Sequence, residues 1–519
     1  MIRLPRPTLS CACQHLAAPT LISLSLLAGV LPLNALSAPP AAEVAAAALP
    51  PTVSAALQAA GVPPEAVSML VLPSDKGQGL ARLDHEGQTI RQVASVMKLF
   101  TTGAALRSLG PAYTWHTDAA LGGTLKANGV LEGPLYLRGT GDPGLVMEKL
   151  QMMMTRWRAA GLRQIRGDIV IDRGAFSVPP HNPDAFDGQG LKPYNAGPDA
   201  LLLNHQAISL RFAPDAGRPG QVRVSMEPEL DGVQLEAKVK PQAKGACGDW
   251  REAMDLRLVP GPARAPTLGP RPWRIALSGP YPLSCGERDW PVLWQGDGPG
   301  DHAARLLTST WRQVGGKLSG HVLEGAWPAN ASVWQSWVSP TLGSQVRDIN
   351  KFSNNVMARQ LFLTMATMQP SQSDDPATLA RARQVVTQQV VDATRNAQGR
   401  SPCDAGALVL DNGSGLSRDE RSSAACLGAW LQTMWASPVM PEWLASLPIA
   451  GLDGTARRLS SAAGRAHIKT GSLDGVAALA GIVDADSGRR YVVVGIINHL
   501  QADAARPALE ALVGWAMKD

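Results

Sequence analysis

Apolar positions change their spacing several times along this chain, and the changes divide it into regions. Residues 67–72 and 79–83 read as two strands around the turn Ser74-Asp75-Lys76-Gly77. Directly afterwards Val96, Leu99, Phe100, Ala104 and Leu106 recur at helical spacing until Gly110, so a helix is expected to begin at Ser95. Between residues 111 and 299 the apolar runs become short and are broken by Gly and Pro, as at 135–137, 169–171, 221–224 and 273–277. That pattern predicts a β-rich insertion of one or two subdomains. Helical periodicity returns at 302–313, 342–349, 355–367 and 376–393. Near the end, apolar runs at 476–483 and 491–498 flank Asp486-Ser487-Gly488-Arg489, a hairpin pattern, and 507–517 reads as a closing helix with Pro507 in its first turn. A sheet built from the first and last strands, with helices around it, would bring the two ends of the chain together.

The first 37 residues stand apart. Arg3 and Arg6 are their only charges, an apolar run spans 21–33, and Ala35-Leu36-Ser37 has small residues at cleavage-type positions, so the segment reads as a signal peptide removed on export to the periplasm. The run is short for a bilayer span and Pro32 interrupts it, which argues against a permanent anchor. An Ala/Pro-rich stretch, 38–51, then reads as a flexible leader. A length of 519 residues suggests two or three structural units: a main α/β domain from 52–110 and 300–519, and the insertion 111–299. Without Arg3 and Arg6 the 48 Lys and Arg become 46 against 43 Asp and Glu, an excess too small to point to a nucleic-acid partner.

Export changes the meaning of the cysteines, because disulfides persist in oxidising compartments. Cys11 and Cys13 leave with the signal peptide, and the remaining Cys247, Cys285, Cys403 and Cys426 can pair in three ways. Pairing within each expected unit predicts Cys247 with Cys285 and Cys403 with Cys426, closing loops of 38 and 23 positions. A zinc site is the rival, but no CxxC pair and no HExxH helix occurs.

Three short motifs carry candidate chemistry. In Ser95-Val96-Met97-Lys98 a three-residue spacing stacks hydroxyl and ammonium on one helix face, where a lysine made neutral by burial and a second cation could serve as base. Alone the pattern is empty, since it arises about once by chance in a chain of this length. Ser353-Asn354-Asn355 falls between two helical segments, where helix capping is the ordinary explanation. Lys469-Thr470-Gly471-Ser472 offers a carboxylate three kinds of partner on a strand whose Gly permits close backbone approach. The order SxxK, SxN, KTG is a much rarer coincidence, and matches the motif set of penicillin-binding proteins and class A β-lactamases.

The chain thus resembles the serine D-Ala-D-Ala carboxypeptidases of the penicillin-binding protein 4 type, a low-molecular-mass class C family. Asp411-Asn412-Gly413-Ser414-Gly415-Leu416-Ser417-Arg418 is similar to that family's DGSGLSR segment with one residue more, and 447–455 is similar to its LPxAGxDGT segment. Gly141-Asp142-Pro143 and Ile169-Val170-Ile171-Asp172 resemble pieces of its inserted region. The 258 positions between Ser95 and Ser353 far exceed the β-lactamase gap, and the β-rich insertion fits the class C enzymes.

The resemblance implies a penicillin-binding transpeptidase fold, with an antiparallel sheet flanked by helices and a large β-rich insertion. It implies Ser95 as nucleophile, Lys98 as base and Ser353 as the donor of a proton to the leaving amine. The N–H groups of Ser95 and Ser472 would form the oxyanion hole. Asn355 would orient the substrate amide, while Lys469, Thr470, Gly471 and Ser472 would hold the terminal carboxylate with Arg418 nearby. Asp172 would reach over the site toward the side-chain amine of diaminopimelate, unless it simply caps the following turn. Asp474, where the family often carries Gln, would contact substrate or repel its carboxylates. No metal or organic cofactor is implied. The implied partners are peptidoglycan peptides, ending in D-Ala-D-Ala or cross-linked, and β-lactam antibiotics; peripheral membrane contact and a homodimer stay open. Rival readings are a β-lactamase, a non-catalytic cell-wall-binding protein, and a Ser-His-Asp enzyme, for which no GxSxG elbow is present.

Overall fold

The computed structural model describes residues 48–519 except 78, 264–268, 368–374 and 405, so the expected signal peptide lies outside the described residues. The described residues fall in one compact unit. At its centre is a five-stranded sheet in the order Leu83–His85, Val67–Pro73, Arg490–Asn498, Val476–Asp484 and Ala466–Leu473. Every neighbouring pair in it is antiparallel. The first and last strands do meet, with Leu70 opposite Val494. The expected strand at 79–83 shifts to Leu83–His85, because Leu80 is 92% exposed and the stretch before Leu83 belongs to the connection.

The continuous apolar runs of the inner strands follow from burial on both faces. Successive residues of a strand point to opposite faces. Accordingly Leu70, Val492, Val494, Ile496, Ala478 and Ala480 join the core formed with helices Lys98–Leu109, Asn355–Ala366, Leu379–Thr394 and Ala424–Trp435. Their neighbours Met69, Val71, Val493, Ile497, Ala477 and Leu479 join the core formed with helices Pro51–Ala59 and Arg506–Met517. The leader expected to reach residue 51 therefore stops earlier, since Pro51 already occupies the first turn of a helix.

The inserted region has a core of its own, and it is larger than the sequence suggested. Strand Val322–Glu324 pairs with Ile169–Asp172 and Gln335–Val338 with His116–Leu121, so the insertion's sheet continues past residue 299. Helix Asp301–Gln313 belongs there too: its Leu306, Leu307 and Trp311 are buried with Trp157. Trp157 lies on helix Met147–Ala159, which the short apolar runs around it concealed. Both expected disulfides, Cys247–Cys285 and Cys403–Cys426, are formed.

Candidate active site

Ser95 does not open an α-helix directly. It sits in a single 3-10 turn, Ala94–Met97, and the α-helix begins at Lys98. The three-residue spacing still brings the side chains together, with Lys98 Nζ 3.0 Å from Ser95 Oγ. The same ammonium donates to Asn355 Oδ1 at 2.5 Å and to the Ser414 carbonyl at 2.5 Å. Lys98 is fully buried, and burial together with Lys469 and Arg359 drives its pKa well below the ordinary lysine value, while Glu420 opposes the shift.

The SxN motif is a helix junction, as capping logic expects. Helix Leu342–Phe352 ends at Ser353, which adopts a left-handed conformation at φ 55°, ψ 39°. Asn354 then caps helix Asn355–Ala366, its side chain accepting from Met357 N at 3.0 Å. The reversal turns Ser353 toward Lys469, whose Nζ donates to Ser353 Oγ at 2.9 Å, and Asn355 toward Lys98. Burial pushes Lys469 down to about 7. Lys469 lies on Ala466–Leu473, the edge strand of the central sheet, whose outer row is bridged at its start through Ile449 opposite His467 and, among the described residues, pairs with no strand beyond that. Gly471 is needed for packing: a Cβ there would lie 2.7 Å from Val93 O and 3.0 Å from Ser95 N. The strand and the nucleophile's turn could not approach as closely with any side chain between them.

One organising residue escaped the sequence reading. Glu420 is 1% exposed, and its carboxylate accepts the backbone N–H groups of Asp411 at 3.1 Å, Asn412 at 3.0 Å, Gly413 at 2.6 Å and Gly415 at 2.6 Å. Burial raises its pKa, and these bonds oppose the rise. Glu420 thereby fixes the loop whose Ser414 carbonyl receives Lys98. The additional residue Asn412 is absorbed within that loop, its amide donating to Leu416 O at 3.1 Å. An acid two positions beyond Arg418, next to Asp419, gave no sequence signal beyond its closeness to the Gly-rich segment.

Ser95, Ser353, Asn355, Thr470, Ser472 and Arg418 all line one cavity of about 1210 Å³, as do Leu473 and Asp474. Arg418 turns toward Asp474, donating to its carbonyl at 2.9 Å, with its guanidinium 5.5 Å from the Phe186 ring centroid. The guanidinium that reaches Ser472 Oγ is instead that of Arg506, at 2.5 Å.

Asp172 does not line this cavity. Its oxygens accept from Gly174 N and Trp327 N, both at 2.7 Å, so the turn-capping alternative describes it. The insertion reaches the cavity through Phe186, Asp187, Gln189 and Tyr194, none of which lies in a periodic segment. Asp187 accepts from Tyr194 Oη at 2.7 Å and from Asn195 Nδ2 at 2.9 Å. Burial alone would raise the Asp187 pKa, but these bonds and the backbone outweigh it and hold the carboxyl below its usual range.

Comparison with known proteins gives a consistent result. The sequence profile of the D-Ala-D-Ala carboxypeptidase 3 (S13) family matches residues 51–519. A D-alanyl-D-alanine carboxypeptidase of Actinomadura sp. strain R39 is 29% identical over 503 residues, covering 93% of this chain and 87% of that protein. The D-alanyl-D-alanine carboxypeptidase DacB of Haemophilus influenzae is 25% identical over 449 residues, covering 84% of this chain and 86% of that protein. The crystal structure of penicillin binding protein 4 (dacB) from Haemophilus influenzae superimposes with a TM-score of 0.70 at 22% identity, covering 90% of this chain and 99% of the other. A complex of the same protein with a β-lactam gives 0.67 at 23%, with the same coverage.

Proposed function

This chain belongs to the D-Ala-D-Ala carboxypeptidase 3 (S13) family and is a serine D-alanyl-D-alanine carboxypeptidase of the penicillin-binding fold, and from that premise we propose how its own residues perform the reaction. The observation that carries the assignment is the buried pair of lysines, Lys98 against Ser95 and Asn355, Lys469 against Ser353. Ser95 Oγ attacks the carbonyl carbon between two D-alanines while Lys98 Nζ takes its proton. Burial lowers the Lys98 pKa well below the ordinary lysine value, which favours the neutral form a base requires. The N–H groups of Ser95 and Ser472 hold the oxyanion, a stabilisation worth about 3 kcal/mol for each donor.

As the C–N bond breaks, Ser353, held by Lys469 Nζ, passes its proton to the departing D-alanine nitrogen and regains one from Lys98, so the proton taken from Ser95 leaves with the amine and Lys98 is neutral again. Water then attacks the Ser95 ester with Lys98 again as base, releasing the peptide acid and restoring the hydroxyl. Asn355 orients the substrate amide, and Lys469, Thr470 and Ser472 receive the terminal carboxylate.

For side-chain specificity, the geometry supports Asp187 in the part first given to Asp172. An anionic carboxylate on the cavity wall, oriented by Tyr194 and Asn195, suits a substrate ammonium such as that of diaminopimelate. A cavity of about 1210 Å³ has room for more than a dipeptide end, which supports action on cross-linked peptides as well. Two disulfides support residence in an oxidising compartment such as the periplasm. Among the described residues no helix is long and apolar enough to cross a membrane.

Mass spectrometry of the intact protein after incubation with penicillin tests the assignment. The expected result is one covalent adduct on Ser95, abolished in Ser95→Ala. A folded wild type that stays unmodified would sink it.

A further inference from the structure

The carboxylate end of the cavity carries more positive charge than one D-alanine terminus requires. Arg506 opens helix Arg506–Met517, and its Nη2 donates to Ser472 Oγ at 2.5 Å and to Asp503 Oδ1 at 2.7 Å. Its Nε also donates to Asp503 Oδ1, at 3.1 Å. The carboxylate of Asp503 thus fixes the plane of the guanidinium, and Nη1 has no partner among the described residues.

Accepting from Arg506 has a consequence for Ser472. A hydroxyl has one proton to donate and lone pairs to accept with, so Ser472 Oγ keeps its own proton for a ligand. Thr470 differs, since its hydroxyl is engaged with Thr455 Oγ1 at 2.8 Å. Arg457 and Arg458 line the same cavity, and neither side chain forms a hydrogen bond or ion pair among the described residues. Four acids share the wall: Glu510 accepts from Ser460 and Ser461, Asp503 holds Arg506, Asp474 stands at Arg418, and Asp187 accepts from Tyr194 and Asn195.

We propose that Arg506 is a specificity-determining residue that binds the free carboxylate of the leaving residue together with Ser472, with Arg457 and Arg458 raising the positive potential around it. This rests on the reading of Thr470 and Ser472 as the carboxylate end of the site. Arg506 and Ser472 present an oriented N–H and an O–H on one side of the cavity, and a carboxylate can accept from both at once. The serine hydroxyl alone would supply a neutral bond, whereas the guanidinium makes recognition depend on the charge of the ligand. A substrate whose terminal carboxylate is replaced by a neutral amide keeps its scissile bond and loses this contact.

The test compares kcat/KM for a peptide ending in D-Ala-D-Ala with that for the same peptide as its C-terminal carboxamide, in wild type, Arg506→Ala and Arg506→Lys. Thermal unfolding reports whether each variant is folded. Wild type is expected to prefer the acid, and Arg506→Ala to reduce that preference about tenfold or more, chiefly through KM for the acid. Arg506→Lys should restore part of the preference, because the charge returns without the forked geometry. A wild type indifferent to the carboxylate, a preference unchanged in Arg506→Ala, or equal losses on both peptides would each overturn the proposal. Failure of the penicillin adduct in wild type would instead strike the assignment of Ser95.

Discussion

The layers around Ser95 and the inserted β-layers treat charge in opposite ways. Around the nucleophile Lys98, Lys469, Arg359 and Glu420 are all at most 5% exposed, the three cations held by hydrogen bonds to segments distant in sequence and the carboxylate by its own neighbouring loop. In the insertion the ion pairs Arg257–Asp255, Lys238–Glu236 and Arg211–Asp289 lie at the surface, with the buried Arg305–Asp301 and the largely buried Arg173–Asp199 as exceptions. Removing charges from water is expensive unless each is well partnered, whereas exposed pairs contribute little either way. The burial is therefore concentrated where a lysine must lose its proton to work. Substitutions of the buried charges near Ser95 should be felt in rate, and those of the exposed ion pairs in the insertion should hardly be felt at all.

The contrast is challenged most severely by Lys98→Ala, expected to slow penicillin acylation by about 10² to 10⁴-fold, the usual worth of a general base, as measured by stopped-flow or mass spectrometry. A loss below tenfold would mean that the buried ammonium is structural.

Glu420→Gln comes next, with an expected fall of about tenfold in acylation rate, because one end of the amide cannot accept the N–H groups that the carboxylate accepts. Its pH profile carries the sharper information. Glu420 favours the charged form of Lys98, so removing the negative charge makes the ammonium easier to deprotonate. The acid limb of the acylation profile should then move to lower pH. A lower plateau with an unmoved limb would show that Glu420 acts on loop geometry alone.

Within the insertion, two aspartates separate a cavity-facing acid from a structural one. Asp187→Asn should reduce kcat/KM tenfold to a hundredfold for peptides bearing a free diaminopimelate amine, and little for those with the amine blocked. Asp172→Ala should affect both peptides equally and lower stability by about 1 to 3 kcal/mol through its two lost backbone bonds, measured by denaturant unfolding. Reversed results would return the amine-binding part to Asp172. The smallest effect is expected for Arg257→Ala, an exposed pair in the insertion, which should leave both melting temperature and activity unchanged within error.

Local pattern made the catalytic region readable, because its motifs are short, ordered and placed on regular elements. The spacing of Ser95 and Lys98, the junction at Ser353 and the strand carrying Lys469 each follow from a few consecutive residues. Glu420 was not readable in the same way, since its partners are backbone N–H groups, which leave no trace in side-chain identity. Asp187, proposed above for the substrate amine, lies in an irregular segment that offers no pattern, whereas the expectation for Asp172 came from a family resemblance of the strand it ends. Helical periodicity identifies a helix but not which core its apolar face enters, so the pattern does not reveal that helix Asp301–Gln313, beyond residue 299, packs with the insertion. Trp311 and Trp157 meet 6.3 Å apart between two helices of the insertion, a pairing that only tertiary structure reveals.

The Cys403–Cys426 cross-link closes a loop of 23 positions, and both Ser414 and Glu420 lie inside it. Without the bond, the chain must order that whole stretch from a free coil before Lys98 finds its carbonyl partner. By loop entropy the tether is worth roughly 3 to 4 kcal/mol. A newly made copy whose thiols are still reduced therefore carries the same sequence and the same nucleophile with a less firmly assembled base. Reducing the bond should accordingly lower both the unfolding midpoint and the rate of acylation.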